Sequence, residues 1–340
     1  MTRPTAAVDA GRATMRAVVI TRPGGLDALE IQDVPVPVRK PGWVRIKVKA
    51  FGVNESEVTT RKGESSPDVT YPRIPGIEGV GVVDESDVDS GLRPGQQVAT
   101  MMGGMGRSYD GAYAQYVTVP AEQVIPFDTG LPWEVVGALP EMFQTAYGSL
   151  ATGLGLQAGQ TLLIRGGTST VGLCAATIAK DLGATVLSTT RSPERAGDLR
   201  AGGVDHPLVD NGTIAAQVRE LVPDGVDAAL ELVGCSVLTD TLRAVRHQGT
   251  VCFTGALAGQ WTIPDFSPFL IPGGVRLTSY GGQATDLPAD VFAHQLQAIA
   301  EGRLTVPVAK VYRGLERIRD AQADVESGTT PGKHVVVLSN

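Results

Sequence analysis

Beyond residue 133 the sequence alternates strand-like apolar runs with helix-like segments, and this alternation constrains the fold more than any other feature. An apolar run at 161–165 is followed by a helix-like segment at 171–183 and by a second apolar run at 184–190. Strands separated by helices of this length build βαβ units and therefore a parallel sheet with helices on both faces. We therefore predict an α/β fold with a doubly wound parallel sheet over residues 133–287.

The region before residue 133 has a different texture, with short strand-like runs separated by proline and glycine. Apolar and polar residues alternate from Trp43 to Val48, which is typical of a half-buried strand. Strands at such short intervals predict an antiparallel barrel or sandwich. Residues 1–14 are polar and lack the apolar segment of a signal peptide, so we expect a flexible leader and a fold that starts near Met15.

Charge and composition narrow the function classes. The net charge is −7 and no dense basic stripe is present, which argues against a nucleic-acid surface. No apolar run reaches the roughly 20 residues that span a bilayer. Cys174, Cys235 and Cys252 are far apart among apolar neighbours, as expected for buried thiols in a reducing compartment. We therefore expect a cytoplasmic protein without membrane or nucleic-acid partners.

The segment LLIRGGTSTVG, residues 162–172, has the layout of a dinucleotide-binding turn with one glycine replaced. Gly167, Ser169 and Gly172 stand at the three glycine positions of the GxGxxG pattern. We expect Gly167 to make the turn, Gly172 to allow close helix packing, and Ser169 to offer a hydroxyl to a phosphate. An ordinary glycine-rich turn is the alternative, and the strand–helix–strand context favours the nucleotide site.

The end of the following strand indicates which cofactor is bound. NAD sites usually carry an acidic residue about 20 residues after the loop. Here Thr189 and Thr190 are followed by Arg191, with Arg195 one helical turn later. Arginine binds a 2′-phosphate, whereas a carboxylate would repel it, so the sequence favours NADPH as the cofactor. The alternative is that both arginines are solvated side chains on a surface helix. Ser192 is expected to cap the next helix.

Several ordered segments together resemble the medium-chain dehydrogenase/reductase superfamily, and within it the zinc-independent, ζ-crystallin-like NADPH:quinone oxidoreductases. They are MRAVV, GVNESEVTTRKG, PRIPGIEGVGVV, RPGQQV, GAYAQYVTVP, the glycine loop and GKHVVVL. The resemblance implies a GroES-like catalytic domain formed by residues 15–132 and 288–340. It also implies an inserted Rossmann NADPH-binding domain at 133–287, and a homodimer.

Zinc is not expected, although zinc alcohol dehydrogenases share this fold. The resemblance places Asn54 where those enzymes have a ligand cysteine and Ile77 where they have a ligand histidine. The four histidines of the chain are scattered. A catalytic zinc needs about three protein ligands, so we predict that the metal site is absent.

The resemblance also assigns candidate site residues. Asn54 would hydrogen-bond near the nicotinamide or the acceptor; the alternative is an Asx turn. Lys333 would bring a positive charge to the cofactor; the alternative is a solvated lysine in a turn. Thr59 stands where related quinone reductases have a tyrosine, so Tyr109 and Tyr280 are the remaining candidate phenolic donors. Asp210 stands where those relatives often have a tyrosine that packs against the adenine ring. The remaining cofactor-binding candidates are Thr145, Gly167, Ser169, Thr170, Val171, Gly172, Arg191, Arg195, Val233, Gly234, Thr254 and Gly255.

Without zinc, an acceptor that is already electrophilic is the better substrate, because no Lewis acid is needed to polarise it. The sequence therefore favours hydride transfer from NADPH to a quinone, with the proton supplied by water or a side chain. An enone or enoyl-thioester reductase is the nearest alternative. A low-turnover NADPH-binding protein and a zinc alcohol dehydrogenase are the others.

Overall fold

A computed structural model of the chain describes residues 13–67 and 69–339. Within these residues the strands are β1 (Thr14–Val19), β2 (Glu30–Pro35), β3 (Trp43–Val53), β4 (Glu78–Glu85), β5 (Gln97–Met101), β6 (Tyr116–Pro120), β7 (Val124–Pro126), β8 (Thr161–Arg165), β9 (Thr185–Thr190), β10 (His206–Val209), β11 (Val226–Glu231), β12 (Val245–Phe253), β13 (Arg276–Ser279), β14 (Val308–Arg313) and β15 (Lys333–Val337). The α-helices there are α1 (Glu55–Lys62), α2 (Trp133–Val136), α3 (Pro140–Gly148), α4 (Thr170–Asp181), α5 (Ala196–Ala201), α6 (Ala215–Leu221), α7 (Leu238–Ala244), α8 (Ala289–Ala300) and α9 (Ile318–Ser327).

Most of the expected leader, residues 1–12, lies outside the described residues, and β1 begins at Thr14. Across residues 13–67 and 69–339, none of the helices combines the length and apolar character that a membrane crossing requires. In the same ranges no disulfide joins the cysteines; Cys174 and Cys252 are buried and Cys235 is less so.

The chain forms two compact units. Unit 1 comprises the residues up to Glu141 together with those from Val308 onwards, and unit 2 comprises Met142–Pro307. The second boundary lies later than the expected residue 288, because α8 and the turn after it pack within unit 2. There His294 and Arg303 both pair with Asp181 at the end of α4, at 2.8 and 3.1 Å.

Unit 2 is built on a six-stranded parallel sheet, in the order β10-β9-β8-β11-β12-β13. Leu162, Leu163 and Ile164 in β8 are completely buried, as expected for a strand covered by helices on both faces. The strand order reverses between β8 and β11, and ligands of such sheets bind where the order reverses. The predicted doubly wound α/β fold is confirmed.

Unit 1 contains a mainly antiparallel seven-stranded sheet, in the order β14-β15-β3-β4-β5-β7, with β6 also paired to β3. In β3, Val44, Ile46 and Val48 are at most 1% exposed and alternate with half-buried polar residues, as the sequence predicts. β15 runs antiparallel to β3 with His334 opposite Val53. This register places Lys333 beside Asn54, the residue that follows β3.

Candidate functional site

The glycine loop of unit 2 connects β8 to α4. Gly166 has a φ of +90°, so the left-handed turn is made at Gly166 and not at Gly167 as expected. Gly167 is needed for a different reason, because a Cβ there would overlap the Ser188 hydroxyl of β9. A Cβ at Gly172 would lie 2.7 Å from the carbonyl oxygen of Gly166, so this glycine lets α4 pack on the loop.

Ser169 caps α4. Its Oγ accepts a hydrogen bond from the backbone N–H of Gly172 at 3.1 Å and donates to the carbonyl of Gly166 at 2.7 Å. The hydroxyl proton is therefore committed to the protein, which differs from the expectation that it is offered to a phosphate. Thr170 and Val171 begin the helix, and no acceptor within the described residues takes their backbone N–H groups. Unsatisfied N–H groups at a helix start are suited to bind a phosphate.

The end of β9 contains no acidic side chain. Thr189 Oγ1 instead accepts a hydrogen bond from the N–H of Gly166 at 3.0 Å. Arg191 follows the strand and is exposed. Arg195 lies against the glycine loop, with Nη2 3.4 Å from the carbonyl oxygen of Thr168. One guanidinium group therefore contacts the glycine loop, and a second, exposed arginine directly follows β9, at the edge where such sheets bind a ribose phosphate.

Ser192 does not perform its expected capping role. It precedes the short 3₁₀ turn Pro193–Arg195, and its side chain makes no capping hydrogen bond. The turn has Pro193 at its first position, and α5 begins only at Ala196.

A buried ion-pair cluster that sequence reasoning missed lies behind the glycine loop. Arg165, at the end of β8, is completely buried, and its guanidinium donates to both carboxylate oxygens of Asp210 at 2.8 and 3.0 Å. It also donates to Asp240 at 2.9 Å. Burial favours a raised Asp210 pKa, but the hydrogen bonds from Arg165 and Gly212 outweigh burial and hold the pKa below its ordinary value. The Asp210 carboxylate thus points into the protein. The arginine that ends the apolar run at 161–165 is the sequence feature that could have indicated this buried ion pair.

The residues after β11 and β12 are engaged by internal contacts. Glu231 Oε1 accepts the backbone N–H groups of Val233 and Gly234 at 2.7 and 3.0 Å, so these groups are not available to a cofactor. The hydroxyl of Thr254 lies 2.9 Å from that of Ser149. Gly255 directs its N–H at the carbonyl of Glu231, at 3.3 Å.

Ser149 begins a π-helical turn after α3 and links two candidate residues of unit 2. Its Oγ is 2.7 Å from the carbonyl oxygen of Thr145 and 2.9 Å from the hydroxyl of Thr254. Thr145 is half-buried. Short π-helical segments are frequent at functional sites.

Thr59, which occupies the tyrosine position, and the two candidate phenolic donors all donate to protein acceptors. Thr59 Oγ1 donates to the carbonyl of Glu55 at 2.9 Å, within α1. Tyr109 donates to Gln123 at 2.6 Å, and burial raises its pKa. Tyr280 donates to Asp286 at 2.8 Å, and its pKa is raised by burial and by that carboxylate. The structure gives none of these residues a hydroxyl proton ready for transfer.

The candidate residues of unit 1 meet in a buried charge cluster around Lys333. The Lys333 side chain is 2% exposed and its ammonium lies 2.7 Å from Glu78 and 2.9 Å from Glu141. It also donates to Asn54 Oδ1. Burial alone would lower the Lys333 pKa, but the carboxylates of Glu141 and Glu78 outweigh burial and raise it. With these three acceptors the ammonium protons are used inside the protein, so a phosphate contact would require one of them to break.

The cluster depends on a close backbone approach at Gly52. A Cβ at this position in β3 would overlap the Glu78 carboxylate and the Lys333 side chain. Glu78 is completely buried, and its second oxygen accepts the backbone N–H of Glu141 at 2.8 Å. Burial raises the Glu78 pKa, and Lys333 opposes that rise.

The donor set of unit 1 does not suit zinc. Ile77 has no donor atom, and the side-chain N–H groups of Asn54 point at carboxylates. Glu78 is paired with Lys333. In residues 13–67 and 69–339, no group of three or more His, Cys, Asp or Glu side chains is arranged to hold a metal ion.

Sequence and structure comparisons agree with this architecture. Residues 40–129 match the alcohol dehydrogenase GroES-like domain family, and residues 170–293 match the zinc-binding dehydrogenase family. Prostaglandin reductase-3 of Bos taurus is 30% identical over 266 residues, covering 75% of this chain and 67% of that protein. Quinone oxidoreductase of Homo sapiens is 27% identical over 339 residues, covering 96% of this chain and 99% of that protein.

A solved structure is also similar over nearly the whole chain. It is a mycobacterial protein in complex with NADPH, with 28% identity and a TM-score of 0.81, covering 95% of this chain and 99% of that one. A GroES-like domain and a doubly wound parallel sheet are the domains that the two matching dehydrogenase family models describe. The chain belongs to the medium-chain dehydrogenase/reductase superfamily and, within it, to the quinone oxidoreductase-like family.

Proposed function

We propose that this protein is an NADPH-dependent, zinc-independent reductase that transfers hydride to a quinone. The observation that carries the proposal is the end of β9, where Thr190 is followed by the exposed Arg191 and Arg195 lies 3.4 Å from the glycine loop. An NAD site would place a carboxylate in this region, whereas a 2′-phosphate requires positive charge. The quinone oxidoreductase relatives support the acceptor class.

The residues of unit 2 fit a dinucleotide. The N–H groups of Thr170 and Val171 would hold the pyrophosphate, and the guanidinium groups of Arg191 and Arg195 would hold the 2′-phosphate. Bound NADPH supplies the hydride, and the protein contributes its orientation. Gly167 keeps the loop close to β9, which leaves the helix-start N–H groups of Thr170 and Val171 to hold a phosphate when the cofactor is bound.

Zinc independence is proposed from the chemistry of the donors in unit 1. Ile77 offers no ligand atom, and the Glu78 carboxylate is neutralised by a lysine 2.7 Å away. Asn54 remains the proposed contact for the nicotinamide or the acceptor, now with a defined polarity. Its amide hydrogens are directed at Glu57 and Glu78, and its Oδ1 already accepts from Lys333. A ligand could therefore reach Asn54 only with a hydrogen-bond donor directed at Oδ1, such as the nicotinamide carboxamide. An electrophilic acceptor tolerates this arrangement, with the proton supplied by water.

Reduction of an activated carbon–carbon double bond is the second candidate. A prostaglandin reductase is 30% identical to this chain, and Thr59 stands where related quinone reductases have a tyrosine. Reduction of enones and enoyl thioesters uses the same cofactor and the same hydride transfer as reduction of quinones. Only the shape and chemistry of the acceptor pocket would therefore distinguish the two substrate classes.

The acceptor class is tested by the initial rate of NADPH oxidation in the presence of a chelator. The panel contains simple quinones, enones and an enoyl thioester. Turnover of quinones supports the proposal, and turnover of enones or thioesters alone assigns the second candidate. Tight NADPH binding without turnover of any acceptor would contradict both and favour a cofactor-binding role.

We also propose a cytoplasmic homodimer that pairs through β13. This strand has β12 as its only sheet neighbour within the described residues. The segment before it exposes large apolar side chains, with Trp261 63% and Phe269 98% exposed. A dimer would pair the exposed strand edge with its counterpart and cover the exposed aromatic side chains, and both features otherwise favour unspecific association. Sedimentation equilibrium is expected to give a dimer that Phe269→Asp weakens; a monomer at all concentrations would contradict the proposal.

A further inference from the structure

Glu57 is a buried carboxylate whose hydrogen bonds converge on Asn54. It is the third residue of α1 and is 1% exposed. Its Oε2 accepts the backbone N–H of Asn54 at 2.9 Å. Its Oε1 accepts the backbone N–H of Ile77 at 2.8 Å and the Asn54 Nδ2 group at 3.4 Å. Three N–H donors therefore point at one carboxylate, which matches its ionised form.

These contacts determine the orientation of the Asn54 amide. The two Nδ2 hydrogens are directed at Glu57 and at Glu78, the latter at 3.0 Å, while Oδ1 accepts from Lys333. A flipped amide would place its oxygen against two carboxylates and its N–H groups against an ammonium. The flip is therefore strongly disfavoured while Glu57 and Glu78 are ionised.

We propose that Glu57 is a positioning residue that, together with Glu78, fixes the Asn54 amide in this orientation, and that protonation of Glu57 loosens this hold. The inference rests on the proposed function, because Asn54 is the contact proposed there for nicotinamide or acceptor. Glu57 itself acts through Asn54 and is not assigned any contact with the ligand.

The surroundings of Glu57 place its titration in the neutral range. Glu78 from β4, Lys333 from β15 and Tyr113 from the chain between β5 and β6 face it. Burial is the largest influence and, with Glu78, outweighs the backbone hydrogen bonds and Lys333, which raises the Glu57 pKa to about 7. A proton on this carboxyl needs an acceptor, whereas the three groups hydrogen-bonded to it are N–H donors. The 3.4 Å contact with Asn54 Nδ2 is the longest of the three and is expected to break first.

The inference is tested by following the Asn54 side-chain amide directly. Nuclear magnetic resonance of ¹⁵N-labelled protein, titrated from about pH 5 to pH 9, reports that amide through its ¹H–¹⁵N signals. We expect these signals to shift with a midpoint near the Glu57 pKa of about 7 in wild type. The shift is expected to be lost in Glu57→Gln and retained in Glu55→Gln, the matched control on the same helix, whose side chain is exposed. Asn54 signals that do not move with pH in wild type would overturn the inference without relying on any variant that fails to fold.

The kinetic readout separates positioning from a purely structural role. The kcat/KM for the acceptor is expected to rise through a midpoint near pH 7 in wild type and to be about tenfold lower and pH-independent in Glu57→Gln. The ratio of NADPH to NADH affinity is expected to stay within about twofold, because the proposed ligands of the 2′-phosphate, Arg191 and Arg195, are in unit 2. A midpoint retained in Glu57→Gln would overturn the inference. Absence of turnover in wild type would refute the proposed function alone, since the amide titration does not depend on activity.

Discussion

Lys333 Nζ lies 2.7 Å from Glu78 Oε1, and both side chains are almost completely buried, at 2% and 0% exposure. The pair joins β15, near the end of the chain, to β4. Opposite charges removed from water stabilise a fold only if each keeps its partner. The pair is the centre of a polar cluster in unit 1, because Asn54 and Glu141 each contact both of its members.

Lys333→Met is expected to lower the free energy of unfolding by about 3–5 kcal/mol, because it leaves the buried Glu78 carboxylate without its counter-ion. Urea unfolding measures the loss. The double variant Lys333→Met with Glu78→Gln is expected to recover part of it, since the completely buried carboxylate of Glu78 is then replaced by a neutral amide. Equal stability of Lys333→Met and wild type would show that the pair is not formed in solution.

Arg191→Ala is expected to weaken NADPH binding by about 1–3 kcal/mol, the contribution of a hydrogen bond to a charged group. NADH binding is expected to be unchanged, because NADH has no 2′-phosphate. Fluorescence titration of both nucleotides measures this difference. Arg200→Ala is the control, since Arg200 is an exposed arginine in α5. Unchanged NADPH affinity in Arg191→Ala would refute the role given to this residue.

Ser169→Ala is expected to cost about 1 kcal/mol of stability, because Ser169 caps α4 through Gly172. NADPH affinity is expected to change little, since the hydroxyl proton is already donated to Gly166. Ser192→Ala is the matched control, because Ser192 also precedes a helical turn but makes no capping bond. Thermal unfolding and NADPH titration of both variants decide the matter. A large loss of affinity in Ser169→Ala alone would restore the phosphate contact expected from the sequence.

The free energy of unfolding is expected to decrease as the pH rises, because Glu57 loses its proton in the folded protein. The Glu57 pKa is about 7 in the folded protein against an ordinary value of 4.5, so the folded state holds the proton more tightly. Its stabilising contribution is complete below about pH 4.5 and is lost as pH rises through 7. The unfolding free energy of wild type minus that of Glu57→Gln is expected to decrease by about 3 kcal/mol across this window. A difference independent of pH would contradict the shifted pKa.

The sequence predicted the parts of the fold that depend on local patterns. Alternation in 43–48 and the apolar runs around 161–165 and 184–190 follow from the periodicity of strands, and the structure confirms them. The glycine loop was placed correctly between β8 and α4. The roles of its glycines were not predicted correctly, because Gly166 makes the left-handed turn and Gly167 is the glycine that β9 approaches closely.

The sequence could not reveal which polar side chains form hydrogen bonds or ion pairs with one another. Lys333 and Asn54 are 279 residues apart in the chain and meet only because β15 pairs with β3. Arg165 finds Asp210 and Asp240 through the order of the parallel sheet. A residue type and a motif position can indicate a charge near a ligand, but only the fold shows whether a neighbour has already neutralised it.

The central claim is most directly tested by comparing NADPH with NADH as hydride donor to a simple quinone, using protein shown to contain no zinc. We expect kcat/KM for NADPH to exceed that for NADH by at least about tenfold, because Arg191 and Arg195 favour the 2′-phosphate. Equal use of both nucleotides, or activity that appears only when zinc is added, would contradict the proposed NADPH-dependent, zinc-independent reductase.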